Sequence, residues 1–272
     1  MTFSPSGQQF ELSVDDQHVT IVEVGGGIRS YRFGDRDGLQ PYAMDQMCDG
    51  AHGAPLIPWP NRLGDGRYRV NGTDYQVSLT EPDKHNAIHG FLRWRPWQPN
   101  EREADRIVMA ATLFPLPGYP FALDVRIDYR LTDDGLTVTT TATNIGDHPC
   151  PYGCGQHPYR SPGAGLIDDC TLHLAADTLI VTDPNREVPV ETEPVGDTPL
   201  RLPRRQDTQR PEGRLRVHLP DPRRRGPSVG AADRQRRLRR RALGRPGLPN
   251  HRNFPADTLA PDRRRKGLAP NQ

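Results

Sequence analysis

Three short stretches set polar side chains among residues that restrain the backbone. The first, APLIPWPNRLGDG, covers residues 54–66. Pro58 and Pro60 fix φ on the approach to Asn61-Arg62, so the Arg62 guanidinium can be held in one place. Its planar fork of donors suits a carboxylate or sugar hydroxyls, while a rigid loop with a solvated arginine is the plainer reading. The second, KHNAIHGFLRWRPW, covers residues 84–97. His89 precedes Gly90, which lets another backbone or a ligand come close. His85 and His89 could ligate a metal, but two histidines without a third ligand give little ground for one, and a core histidine beside a turn fits equally. Trp94 and Trp97 could line a sugar site with their ring faces, although the area a Trp buries makes the core their expected place.

The third stretch, CPYGCGQHPYRSP, covers residues 150–162. Cys150, Cys154 and His157 stand as Cys-x3-Cys-x2-His, loosely a zinc spacing, but no fourth ligand is placed and the neighbours are apolar and proline-rich. A Cys–His nucleophilic pair lacks any motif to orient it. What remains is His157 as a general acid or base, held by Gly155 and Pro158.

The elements that must position these residues read as strands and turns. In DGRYRVNGTDYQV, Tyr68 and Val70 alternate, Asn71-Gly72 follows, and Tyr75 and Val77 alternate again. Asn-Gly between alternating runs signals a hairpin because both residues tolerate positive φ. Farther on, Leu123, Val125, Ile127, Tyr129 and Leu131 share one face, Asp134-Gly135 turns the chain, and Leu136 and Val138 continue it. No helical period of comparable length competes. Short strands at this spacing predict a large antiparallel all-β domain, a sandwich or barrel.

The chain has 272 residues, enough to bury a sizeable core. Its net charge of +2 conceals a split. Residues 201–272 hold 21 Lys and Arg against 6 Asp and Glu, leaving 15 against 28 in residues 1–200. All 3 Trp and all 8 Tyr lie at or before Tyr159, and Phe254 is the sole Phe, Tyr or Trp beyond residue 200. A segment so poor in aromatics and rich in Arg, Pro and Gly buries too little apolar surface to offset the entropy of ordering. The N-terminus, MTFSPSGQQFELSVDD, lacks a basic start followed by an apolar run, and no stretch is apolar enough to span a bilayer, so a cytoplasmic protein with reduced thiols and no membrane partner is expected.

Taken in order, NRLGDGRYRVNGTDYQV, NAIHGFLRWRPW, YGCGQHPYRSP and VTDPNREVPVETEPVGDTPL resemble the aldose 1-epimerase (galactose mutarotase) family across nearly all of residues 10–200. The resemblance implies an all-β fold, a β-supersandwich of large antiparallel sheets with an open sugar-binding cleft. It implies interconversion of the α and β anomers of a small-molecule aldose by acid–base ring opening, with no metal and no organic cofactor. His157 then matches the general acid. His89 matches the second site histidine near the ring oxygen. Asn61 and Arg62 match the Asn-Arg pair whose arginine anchors sugar hydroxyls. The family's sugar-binding Asp belongs after residue 200 and its catalytic Glu after a GLA-like turn. Here RRRKGLAPNQ follows the pattern without a Glu, so impaired catalysis is expected.

Three segments follow: a family-like part over 1–200, an anomalous Arg/Pro/Gly-rich part over 201–253 expected to be poorly ordered, and a family-like part over 254–272. FPADTLAPDRRRKGLA matches the family again, and the spacing before it survives although the residues do not. A shifted reading frame would account for this. One permissible set of codons for LGRPGLP, read one nucleotide later, gives Trp-Val-Asp-Arg-Ala-Tyr, with Trp and Tyr in place of Leu243 and Leu248 where the family pattern wants them. PNQ and a stop codon, read two nucleotides later, give Glu-Pro-Met. Two other functions compete: a non-catalytic carbohydrate-binding relative, and a nucleic-acid-binding tail over 201–245. Basic runs attract phosphates, but nothing there offers stacking aromatics or a known motif, so no specific nucleic-acid partner is expected.

Overall fold

The computed structural model describes residues 4–161, 178–194 and 257–259. Alternation of apolar and polar residues builds two four-stranded antiparallel meanders. One runs Gln9–Val14, Gln17–Val22, Ile28–Phe33 and Arg36–Leu39. The other runs Gln98–Arg102, Arg106–Leu113, Leu123–Thr132 and Gly135–Asn144. In Leu123–Thr132 every second residue from Leu123 to Leu131 is buried, as the period of two predicts. These residues share one core with Leu12, Val19 and Ile21 from the first sheet and Ile107 and Met109 from the second. The hydroxyl of buried Tyr129 donates to the Gly26 carbonyl at 2.6 Å, and that of Tyr119 to the Pro151 carbonyl at 2.7 Å, so neither phenol is buried unpaired. Among the described residues the only helical elements are two single 3₁₀ turns, Pro82–Lys84 and Leu92–Trp94. None is long and apolar enough to cross a membrane.

The Asn-Gly hairpin forms as expected. Arg67–Val70 pairs with Thr73–Gln76, Val70 opposite Thr73, and Asn71 and Gly72 take φ of +48° and +82°. The second turn lies one residue earlier than the Asp134-Gly135 reading. Thr132 pairs with Gly135, so Asp133-Asp134 is the loop, and Gly135 enters the next strand at φ +113°, a conformation that favours glycine. The two tryptophans separate. Trp97 is fully buried and donates from Nε1 to the Leu92 carbonyl at 3.1 Å. Trp94, expected in the core, is 43% exposed, with the Arg93 guanidinium 4.9 Å from its ring centre.

Cys150–Tyr152 pairs antiparallel with Asp257–Leu259, which lies within the 254–272 stretch expected from sequence to be family-like. Residues 162–243 form a unit separate from the one holding residues 1–161 and 244–272. Its described part is an antiparallel hairpin of Thr178–Thr182 and Pro189–Pro194. The anomalous segment 201–253 lies outside the described residues, as do Pro270, Asn271 and Gln272.

Candidate active site

Residues 54–64 act as a spine with the two histidine-bearing stretches docked along it. Pro55–Leu56 pairs with Gly155–Gln156, the His157 amide donates to the Ala54 carbonyl at 3.1 Å, and the Gly53 amide donates to the His157 carbonyl at 2.9 Å. Farther along, Arg62–Gly64 pairs with Asn86–Ile88. The Ile57 carbonyl accepts from the amides of Phe91 at 2.8 Å and Leu92 at 3.2 Å. Gly90 sits against that carbonyl at φ +69°, and a β-carbon there would collide with it. This close approach is what Gly90 permits. The result is a contact between residues 68 apart in sequence: the His89 and His157 rings lie 5.3 Å apart between centres, at 70°.

Asn61 fixes the chemistry of His89. Its amide donates to Nδ1 of His89 at 3.1 Å, and the His89 amide donates to the Asn61 carbonyl at 2.9 Å. A neutral His89 whose Nδ1 accepts must carry its proton on Nε2. Burial, then the positive charges of His157, Arg93 and Arg62, push its pKa down to about 4, so it is neutral at pH 7. His157 is also pushed below the ordinary histidine value, first by burial and further by His52 and Arg93, against a backbone hydrogen bond that raises it. Tyr159 lies 5.4 Å from His157 and stacks on His52 at 4.1 Å, while Trp59 and Phe91 meet edge to face at 4.8 Å.

Arg62 is not a solvated arginine. Its Nε and Nη2 donate to the Glu81 carboxylate at 2.7 and 2.9 Å, and Nη1 lies 3.4 Å from the Asn61 Oδ1. Asn86 adds a 2.9 Å bond to Glu81. These donors, the Arg62 fork first, hold the Glu81 carboxyl down at about 2. Most of the fork is therefore spent on orientation. Glu81 escaped sequence reasoning: an acid in TEPDKHN has nothing local to mark it, since its partner is 19 residues away. His52 and Tyr159 escaped for the same reason.

The metal readings find no shared site. Cys150 is buried in the core and Cys154 is exposed, while His85 is exposed and His89 half-buried. Among the described residues no three His, Cys, Asp or Glu are grouped to hold an ion.

The aldose 1-epimerase family pattern matches residues 8–216, more than half of the chain and the whole of this constellation. The chain belongs to the aldose 1-epimerase family. It is 38% identical over 179 residues to the uncharacterised protein YihR of Escherichia coli K12, covering 65% of this chain and 58% of YihR. It is 27% identical over 209 residues to the aldose 1-epimerase of the same organism, covering 66% and 56%. The chain thus spans less than two thirds of the length of these relatives. Among solved structures, the aldose epimerase homologue from C. elegans superposes with a TM-score of 0.62 at 18% identity, over 71% of this chain and 63% of that one. Galactose 1-epimerase from Lactobacillus acidophilus gives 0.59 at 19%, over 70% and 59%. At these identities the likeness is one of fold, and it is the all-β, galactose mutarotase-like fold.

Proposed function

We propose that the chain carries the acid and sugar-holding parts of an aldose 1-epimerase site, acting on a free galactose- or glucose-like aldose. The carrying observation is the contact of His89 and His157 beside the Asn61–Arg62–Glu81 system. In this reading a base removes the proton of the C1 hydroxyl, its oxygen becomes the aldehyde oxygen, and the bond from C1 to the ring oxygen breaks. His157 supplies the proton that the ring oxygen gains. After rotation about C1–C2 the steps reverse with roles exchanged, and the anomer is inverted. His89, neutral with Nε2–H, donates a hydrogen bond near the ring oxygen without adding a charge. Asn61 and Arg62 hold sugar hydroxyls, Arg62 mainly as an oriented element of the wall.

A base is the part this constellation does not supply. Among the described carboxylates, Glu81 is ion-paired and its low pKa makes it a weak base. The family resemblance puts the base beyond the GLA turn, outside the described residues.

The test follows the optical rotation of fresh α-galactose and α-glucose, with aldose binding measured by calorimetry. It compares this chain with one re-read in the alternative frame downstream. Acceleration by the re-read chain that is lost in His157→Gln supports the proposal. Binding without acceleration in either chain leaves a carbohydrate-binding relative, and neither binding nor acceleration overturns both.

A further inference from the structure

The strand that carries His157 and Tyr159 is bonded on both flanks, and the His52 ring ties those flanks together. On one flank lie the bonds from His157 to Gly53 and Ala54. On the other, the Gln40 amide donates to the Tyr159 carbonyl at 2.8 Å and the Ser161 amide to the Gly38 carbonyl at 3.2 Å. His52 belongs to the first flank, yet its Nε2 donates to the Gln40 carbonyl on the second. A carbonyl only accepts, so the Nε2 proton is fixed and Nδ1 is the nitrogen that gains and loses a proton. The imidazole lies flat on Tyr159, 4.1 Å between centres and 10° between planes, and Tyr159 in turn lies 5.4 Å from His157. The Tyr159 hydroxyl donates to the Gly50 carbonyl at 3.1 Å, and a β-carbon on Gly50 would collide with that hydroxyl. The turn presenting His52 is strained: buried Ala51 sits at φ +58° between Gly50 at +57° and Gly53 at +67°. It is closed around His52, whose amide donates to the Asp49 carbonyl at 3.0 Å and whose carbonyl accepts from the Cys48 Sγ at 3.2 Å. Strain of this kind persists where its surroundings over-determine it, and it gathers at functional sites.

We propose that His52 is a positioning residue for His157: through Tyr159 it fixes the imidazole that protonates the sugar ring oxygen, and it sets a charge beside that imidazole whenever its own Nδ1 is protonated. The inference rests on the aldose reading above and names a control on its acid. A protonated His52 repels a proton on His157 and so makes His157 readier to give that proton up. The charges that bear on His157 in this way are those of His52 and Arg93, and the charge of His157 bears in turn on His89. The titratable groups around His52 itself are Tyr159 on its face, Tyr42 edge-on at 5.4 Å, and Cys48 and Asp49 in its own turn. The face of Tyr159 accommodates a cation, so the stack survives protonation.

The experiment uses the full chain, with NMR titration of the histidine rings and calorimetry with galactose and glucose, so turnover is not needed. The His157 curve should carry a second inflection as His52 takes its proton. His52→Phe keeps the stack and removes the charge, whereas His52→Gln keeps a donor and removes both stack and charge. Both should raise the His157 midpoint by at least about 0.3 pH units and erase the second inflection. His52→Phe should hold aldose affinity within about twofold, while His52→Gln should lower it about five- to tenfold. A His157 midpoint unmoved in both variants, with circular dichroism unchanged, overturns the inference and leaves the aldose reading intact. Equal losses of affinity in the two variants overturn the route through the Tyr159 stack. Absence of aldose binding by the native chain removes the aldose reading, and the midpoint in His52→Phe then decides alone whether His52 governs His157.

Discussion

Asn61 and His89 hold each other through two main-chain amides, one to the imidazole Nδ1 at 3.1 Å and one to a carbonyl at 2.9 Å. Both residues sit at positive φ, +57° and +65°, so the pairing fixes strained backbone as well as a tautomer. Nitrogen-detected NMR should find His89 neutral with its proton on Nε2 between pH 6 and 8, titrating near pH 4. An Nδ1–H tautomer, or a midpoint near 6.5, would show that the Asn61 amide does not hold the ring.

The same depressed pKa sets a pH dependence of stability. Below pH 6.5 the unfolded chain binds a proton at His89 that the folded chain refuses, so stability is present above 6.5 and drains as pH falls toward about 4. Glu81 acts in a lower window: its stabilisation is present above 4.5 and is lost as pH falls through about 2. The thermal midpoint should fall in two stages on acidification. His89→Gln should flatten the upper stage, leaving the part due to His157, and Glu81→Gln should flatten the lower. Parallel pH curves for all three proteins would contradict the assignment.

Glu81→Gln also removes the charge of the carboxylate that Arg62 grips with two nitrogens, where the two side chains are only 17% and 22% exposed. Losing a charge-assisted, two-pronged bond at a partly buried site should cost about 1–3 kcal/mol in denaturant unfolding. Arg62→Lys should cost nearly as much, because an ammonium cannot reproduce the fork. A wild-type midpoint for both variants would mean the pair is loose in solution.

What sequence made legible followed the range of the interactions involved. The Asn71-Gly72 hairpin and the alternating face from Leu123 to Leu131 are local patterns, and each forms as its spacing dictates. The turn after Thr132 shifted by one residue because Gly135 serves strand entry rather than the loop. Trp94 and Trp97 look alike as sequence. Only the fold separates the one packed in the core from the one stacked under Arg93. His89 and His157 were singled out because a Gly or Pro flanks each. Glu81 and His52 were passed over because what marks them is a partner far along the chain.

Two glycines of similar φ should respond differently to a methyl group. Gly72, at φ +82°, has open space around a β-carbon, so Gly72→Ala should cost only the backbone term, about 1–2 kcal/mol. Gly90, at φ +69°, would drive its β-carbon into the Ile57 carbonyl, which also accepts from Phe91 and Leu92. Gly90→Ala should therefore cost more than about 3 kcal/mol and displace His89. Equal losses in urea unfolding would remove the close approach as the reason for glycine at position 90.

The coding DNA decides how far the proposed chemistry can run in this chain. Asp257–Leu259 lies beside Cys150–Tyr152, so a strand downstream of the arginine run finds a partner. That is the expectation if the residues before it were displaced by a shift of frame and the frame then recovered. The nucleotide sequence should show compensating insertions or deletions upstream of Phe254 and another after Ala269, with the alternative frame reading Trp and Tyr in place of Leu243 and Leu248. A chain expressed from the restored frame should mutarotate aldoses at least about a hundredfold faster than the chain as written, the lower end of what a positioned acid or base contributes. Clean DNA in which no frame resembles the family would sink the displacement, and equal rates from the two chains would show that the base lies elsewhere.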